Sequence, residues 1–584
     1  MTKGLYDREP AVSIKNHNEK AWRGYSAIIQ ELSGRIRACG KGRVIVAIDC
    51  YPGVDETELV RAFREGLSPC LVIDAGEANY SHDHISGILS RNITDDRVFG
   101  VLSCHTIDEF FDERGIERAR SRIDEVRQGI VLVYGVGAAL LHEPDILVYA
   151  DMARWEIQTR MRRKEVANWC ADNYNEDFLR KYKRAYFIDW RVIDRYKSRI
   201  IDRFDYYLDM NIRNDPKMIT GSALTDGLRQ TASRPFRLVP FFDPGPWGGQ
   251  WMKEVCGLDP KERNYAWCFD CVPEENSLYL VYGDIRVEVP SINLVMQQPV
   301  ALLGDKVHAR FGTEFPIRFD FLDTMEGGNL SLQVHPLTEY IQQTFGMHYT
   351  QDESYYMLDA KPDACVYLGI KNDMDRNAML HDLDQAQKGE IAFDADTYIN
   401  RWPARKHDHF LIPAGTIHCS GKNSMVLEIS ATPYIFTFKL WDWGRLGLDG
   451  RPRPVHLEHG RNVIQWHRDT DWTKANLVNR IEKIAEGDGW VEERTGLHER
   501  EFIETRRHWF TKPVQHDTHG GVNVLNLIEG SEALVESPDN AFKPYVVHYA
   551  ETFVIPACVG AYTIRPYGKG IGETIGTIKA YVRT

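Results

Sequence analysis

The chain lacks any excess of positive charge. Across 584 residues, 71 Lys and Arg are outnumbered by 84 Asp and Glu, giving a formal net charge of -13 and a pI near 5.9. That sign excludes nucleic acid as the main partner, because binding a phosphate backbone needs a basic face. A small phosphorylated ligand needs only a few local cations and stays open. Long apolar runs are also missing. The most apolar stretch, 129–150, is broken by glycines and by His142-Glu143-Pro144-Asp145, so it cannot serve as a membrane span. The first ten residues, MTKGLYDREP, carry no apolar signal core. Of eleven cysteines, only Cys268 and Cys271 form a C-x-x-C pair, and one pair without a second does not make a zinc ribbon. Scattered thiols fit a reducing compartment, so the expectation is a cytoplasmic protein with neither nucleic acid nor membrane as partner.

What is present changes character along the chain. The first ~220 residues alternate apolar strand runs with helical runs, as α/β layers do. Strands are expected at 44–48, 71–74, 98–102, 130–135 and 146–150, with a helix at 58–66 and helical character over 107–128. From 154 to 209 the chain reads as an aromatic, basic helical layer. Residues 216–235, rich in Gly, Ser and Pro, read as a linker between a first domain, 1–215, and a second, 236–584. Beyond it, short strands separated by Gly, Pro and Asp turns predict a β-sandwich or barrel. "FLIPAGTIH" (410–418) and "FVIPACVGAY" (553–562) form a weak internal repeat of strand, Pro-Ala turn and strand.

Three stretches carry chemistry together. In "NLSLQVHP" (329–336), period-2 alternation places Gln333 and His335 on one face and the aliphatic residues on the other. "QDESYYML" (351–358) offers Glu353 at a strand start, and "IPAGTIHC" (412–419) offers His418 after a turn. Two imidazoles, a carboxylate and an amide oxygen suit a zinc ion with room for substrate or water. A two-histidine, one-carboxylate iron oxygenase site remains an alternative on these residues alone.

In order and spacing, these stretches resemble type I phosphomannose isomerase, a zinc-dependent cupin family. The resemblance runs from "PWGGQWMKE" (246–254) through "FPIRFDFLD" (315–323), "LSLQVHP", "DESYYML", "FLIPAGTIH", "VLEIS" (426–430) and "TFKLWDWGR" (437–445) to "RPVHLEHGRNVI" (453–464). It covers roughly residues 234–584. It implies a mainly β double-cupin unit, one Zn2+ per chain held by Gln333, His335, Glu353 and His418, and interconversion of mannose 6-phosphate and fructose 6-phosphate. Glu428 matches a family carboxylate near the site and is the candidate acid/base, with an ordinary strand glutamate as the plain alternative. Lys439 departs from the family, where many members carry arginine ahead of the aromatic-Asp-aromatic segment. Lysine keeps the charge and loses the planar two-pronged donor, and Arg445 is a nearby alternative cation. A hexose 6-phosphate sensor without catalysis is the rival function. The oligomeric state stays open.

The first domain resembles P-loop nucleoside or uridine kinases. "IDCYPGVDET" (48–57) lies between a strand and a helix, where G-x-x-x-x-G-K-[ST] would sit. Cys50 and Asp55 hold the glycine positions and Glu56 the lysine position; only Thr57 fits. Arg160, Arg162 and Arg163 would fall on the lid, and Tyr134 sits where such kinases often carry an acidic residue. Glutamate in place of lysine repels a triphosphate, so the resemblance implies a catalytically dead, kinase-like α/β domain fused to the cupin unit.

Overall fold

A computed structural model describes residues 5–448, 450, 453–496 and 501–584. The first four residues of the N-terminal segment lie outside this set. The chain separates into two compact units, each assembled from discontinuous segments.

One unit comprises Ala11–Thr231 and Ser277–Gln297. Its seven-stranded sheet runs in the order Ala21–Arg23, Lys217–Thr220, Tyr206–Asp209, Ile146–Asp151, Arg43–Cys50, Gly129–Gly135, Leu71–Asp74. The last five are mutually parallel, and Lys217–Thr220 and Ala21–Arg23 pair antiparallel at one end. Val46, Ile48, Val131, Leu132 and Val148 are fully buried, which is why these strands read as continuous apolar runs rather than alternating ones. The helix Glu56–Leu67 follows the first parallel strand. Asp55 caps it by accepting from the Glu58 amide, and Leu59, Phe63 and Leu67 form its buried stripe. Gly66 lies inside its last turn, where a Cβ would stand 2.2 Å from Ile29, so the glycine answers a close approach rather than a helix end.

Three expectations change here. Residues 98–102 form no strand. The Asn92 side chain donates to the carbonyls of Val101 and Leu102, and Thr94 donates to that of Phe99, so this backbone bonds to a helix end instead of a ladder. The layer expected to be helical over 154–209 ends in the strand Tyr206–Asp209. Residues 216–235 are not a linker. Lys217–Thr220 is a strand and Gly221–Ala232 a helix, because Met218, Ile219, Ala223, Leu224 and Leu228 are buried. Small residues that read as flexible serve close packing.

The segment 277–297 also departs from the expected division at 236. Its hairpin, Ser277–Tyr282 with Ile285–Pro290, pairs with Ala11–Ser13, and the helix Ile292–Gln297 follows. The hairpin closes the carboxyl end of the parallel sheet. The Glu288 amide donates to Asp209 at 2.9 Å, Asn293 donates to Asp151 at 3.0 Å, and Tyr282 donates to the Ala223 carbonyl at 2.9 Å.

The other unit comprises residues 5–10, Ala232–Asn276 and Gln298–Thr584. It holds two β-sandwiches. In the first, the six-stranded sheet (His409–Ile412, Glu353–Ala360, Ser424–Ala431, Ile317–Asp323, Trp267–Cys271, Phe241–Asp243) packs against a five-stranded one. The latter runs Ile399–Pro403, Cys365–Ile370, His418–Ser420, Leu332–Val334, Phe438–Trp441. The second pairs a six-stranded with a four-stranded sheet around Leu525, Leu527, Val535, Phe553, Tyr562 and Ile564. The internal repeat has a structural meaning. Each Pro-Ala turn carries the chain from a six-stranded sheet to its partner, from His409–Ile412 to His418–Ser420 and from Thr552–Ile555 to Ala561–Pro566. Cys268 and Cys271 are free, buried thiols.

Leu278, Leu280, Tyr282, Val287 and Val289 of the hairpin are fully buried, each contributing roughly 1.5–3 kcal/mol. A fragment of residues 11–231 is therefore expected to lose cooperative thermal unfolding. Appending 277–297 through a short flexible linker should restore it, read by calorimetry.

Candidate metal centre

The site lies inside the first sandwich, where its two sheets face one another. Leu332–Val334 supplies Gln333, with His335 one residue past its end; Glu353 and His418 are each the first residue of a strand. Leu332 and Val334 are fully buried, and Gln333 and His335 are also buried at 8% and 1% exposure. The alternation read from sequence thus separates an apolar layer from an internal polar chamber, not core from solvent. Gln333 sits opposite His418 on one neighbouring strand and opposite Lys439 on the other.

The turn before His418 is tied to His335 directly. The Gly415 amide donates to the His335 carbonyl at 2.9 Å, and Gly415 has φ +87°, where a Cβ would stand 2.6 Å from Gln465 and 2.8 Å from the Val463 carbonyl oxygen. Buried Arg468 donates to the carbonyls of Pro413 and Ala414 at 2.8 and 2.7 Å, fixing the Pro-Ala turn from behind.

His335, Glu353 and His418 bring one ligand atom each to within 4.8 Å of one another. His335 Nδ1 lies 3.1 Å from the Phe436 carbonyl and His418 Nδ1 lies 2.9 Å from that of Thr416. A carbonyl only accepts, so both rings carry their proton on Nδ1 and turn the Nε2 lone pair inward. Those lone pairs meet the two oxygens of Glu353, at 3.2 Å from His335 and 2.7 Å from His418. Acceptor faces acceptor, and His335 Nε2 and Glu353 Oε1 have no hydrogen-bond partner although buried. A cation at their common focus satisfies all of them. Gln333 completes the set: its Nε2 lies 3.2 Å from His418 Nε2, and a half-turn of the amide presents Oε1 at that point.

Charge in the chamber argues the same way. Arg318 and Asp320 share one face of Ile317–Asp323, Glu428 and Ser430 the same face of Ser424–Ala431, and Glu353 lies opposite Ser430. All are buried. Three carboxyl groups share this chamber with one guanidinium, so acidic groups outnumber the basic one around the point where a cation would sit. Burial and the neighbouring Glu353 push Asp320 up to about 7, and burial, with Asp320 and Glu353, pushes Glu428 well above its ordinary value. Arg318 bonds Glu428 and lies 3.2 Å from Asp320; Ser430 and Gln351 donate to the same Glu428 oxygen, Oε1, at 3.1 and 3.2 Å. Arg318, Asp320 and Gln351 were not picked out from the sequence. The signal was there in "IRFDF", where two charges alternate with buried phenylalanines.

The two basic candidates are placed differently. Lys439 is half-buried on the strand beside Gln333. Arg445 is bonded to Asp442, which also pairs with Arg453 at 3.0 Å, so its guanidinium is committed to a carboxylate.

The loop 50–57 presents carboxylates instead of cations. Asp49 accepts from the amides of Gly137 and Ala139 at 3.0 Å each and from Tyr196 at 2.6 Å. Burial, with Asp74 and Asp49 nearby, pushes Glu56 up to about 7. Tyr134 donates to Asp74 at 3.2 Å. Of the basic residues expected on a lid, Arg160 lies on the helix Arg154–Arg162 but is buried, bonding Glu156 and the carbonyls of Met210 and Asn211. A Cβ on Gly53 would meet Ile157 of that helix at 2.9 Å. Among the described residues, no helix is long and apolar enough to cross a membrane.

Residues 24–233 match a family described as a domain of unknown function (DUF8485). The chain is similar to mannose-6-phosphate isomerase ManA of Bacillus subtilis, 27% identical over 233 residues, or 40% of this chain and 69% of that protein. Mannose-6-phosphate isomerase of Streptococcus mutans is 26% identical over 235 residues, covering 40% and 68%. The crystal structure of the Bacillus subtilis mannose 6-phosphate isomerase superposes with a TM-score of 0.48 at 19% identity, covering 60% of this chain and all of that one. A mannose 6-phosphate isomerase bound with zinc and yttrium gives a TM-score of 0.44 at 13% identity with the same 60% coverage.

Metal-stripped protein is expected to melt higher when a divalent transition metal is added, by about 2.7 kcal/mol at a hundredfold excess over the dissociation constant. His335→Ala and His418→Ala should each abolish that shift in differential scanning fluorimetry.

Proposed function

We propose that the chain is a zinc-dependent aldose-ketose isomerase acting on a hexose 6-phosphate, with mannose 6-phosphate and fructose 6-phosphate as substrate and product. The reading is carried by the His335–Glu353–His418 cluster in a chain whose relatives are mannose-6-phosphate isomerases. Gln333 would join these three in holding the ion, which would supply positive charge to offset the oxyanion formed in the reaction.

Moving a carbonyl from C1 to C2 takes a proton from C2 and returns one to C1, leaving negative charge on oxygen in between. Glu428 is the candidate acid/base. Its three donors all converge on Oε1, which leaves Oε2 as the oxygen through which it would take up or give a proton. Its buried position raises its pKa, the direction a proton carrier near neutral pH requires. Lys439 stands opposite Gln333 on the neighbouring strand and is the candidate point charge for the substrate's oxyanion or phosphate. Arg445, already bonded to Asp442, ranks below it.

Zinc-loaded protein is expected to convert mannose 6-phosphate to fructose 6-phosphate in a coupled assay. Lys439→Met should lower kcat/KM by about 100- to 1,000-fold, and Lys439→Arg should retain most of it. Absence of turnover by folded, zinc-loaded protein sinks the enzyme reading; saturable hexose 6-phosphate binding without turnover would instead establish a sensor.

We further infer that the unit containing residues 11–231 is a degenerate kinase-like domain that has lost its grip on triphosphate. Asp55 serves as a helix cap, Glu56 stands near Asp49 and Asp74, and Ile157 abuts Gly53. Like charge beside a phosphate and a filled loop both oppose nucleotide binding. Calorimetric titration with Mg-ATP is expected to show no binding at millimolar nucleotide; a saturable isotherm would overturn this.

A further inference from the structure

Gln351 precedes the strand Glu353–Ala360 and is 2% exposed. Its Nε2 lies 2.8 Å from Glu353 Oε2 and 3.2 Å from Glu428 Oε1. An amide nitrogen carries two hydrogens, so it donates one to each carboxylate. Two buried carboxyl groups stand on adjacent strands, and a neutral double donor between them satisfies an oxygen of each without adding a positive charge beside the metal focus. A lysine there would donate equally well but would compete with the dication. A leucine would donate nothing. Behind Glu428, Arg318 is fixed in turn, donating to Ser430 at 3.0 Å and stacking over the Tyr434 ring at 5.2 Å.

We propose that Gln351 is a positioning residue for the reaction. It holds the metal-ligating oxygen pair of Glu353 aimed between His335 and His418, and it fixes Glu428 at the same time, with the Arg318–Ser430 pair as its anchor. Ligand orientation by outer hydrogen bonds is the general device by which a protein sets metal affinity. This inference rests on the metal-centre reading above and adds a residue to it.

The test is zinc affinity, measured by competition with a chromophoric chelator, together with the visible spectrum of the cobalt-substituted protein. Gln351→Met removes both donors at nearly constant volume. It is expected to weaken zinc binding by about 10- to 100-fold and to shift the cobalt bands. Gln351→Glu keeps the shape and adds negative charge. Charge alone would tighten a dication there, so weaker binding by this variant reports the lost donors. Each variant's metal-free melting curve establishes that it is folded, and the pair covers the case in which one is not. A folded variant with wild-type zinc affinity and an unchanged cobalt spectrum overturns the proposal while leaving the metal centre standing. Failure of the wild-type protein to bind zinc overturns the metal centre and this proposal together.

Discussion

Two imidazole lone pairs pointing at one carboxylate is the constraint on which the first sandwich depends. Neither ring can turn away, because each spends its N–H on a backbone carbonyl, from Phe436 and from Thr416. The carboxylate cannot turn away either, because Gln351 holds its second oxygen. Such an arrangement is costly without a cation, and the fold pays for it with backbone. The Pro413–Gly415 turn is bonded to His335 on one side and to Arg468 on the other. Side chains from three strands and two sheets are therefore brought together by main-chain geometry.

The clustering of His335, Glu353 and His418 was legible in the sequence because the signals for it are local. Period-2 alternation set Gln333 and His335 on one face, and a Pro-Ala-Gly turn announced the strand that begins with His418. The supporting charges were not legible in the same way. Arg318, Asp320 and Gln351 acquire meaning only from cross-strand register, which pairs Arg318 with Ser430 and Asp320 with Glu428. Sequence spacing says nothing about a partner 110 residues away.

The parallel sheet was read well where burial on both faces produces unbroken apolar runs, as in Arg43–Cys50 and Gly129–Gly135. It was read badly where polarity or small residues misled. The run 98–102 is apolar enough for a strand, yet Asn92 captures its carbonyls. The Gly- and Ser-bearing stretch 216–235 looks flexible, yet Gly221 has the Phe204 carbonyl packed against its Cα and Gly227 the Tyr282 hydroxyl. In each case a tertiary contact overrides the local preference. The loop 50–57 keeps the strand-loop-helix frame read from the sequence, between Arg43–Cys50 and Glu56–Leu67, with Asp55 serving as the helix cap.

The hairpin 277–297 has a consequence for how the chain is made. During synthesis, residues 11–231 emerge with the carboxyl end of their sheet uncovered, since Glu288 and Asn293 have yet to be added. Asp209 and Asp151 gain those partners only after the first strand of the other unit, Phe241–Asp243, and the strand Trp267–Cys271 have already left the ribosome. That other unit waits longer, because its residues 5–10 are made before residues 11–231 and Tyr6 meets Asp270 only much later. The order of translation and the order of completion are interleaved, so neither unit matures as a bead before the next begins.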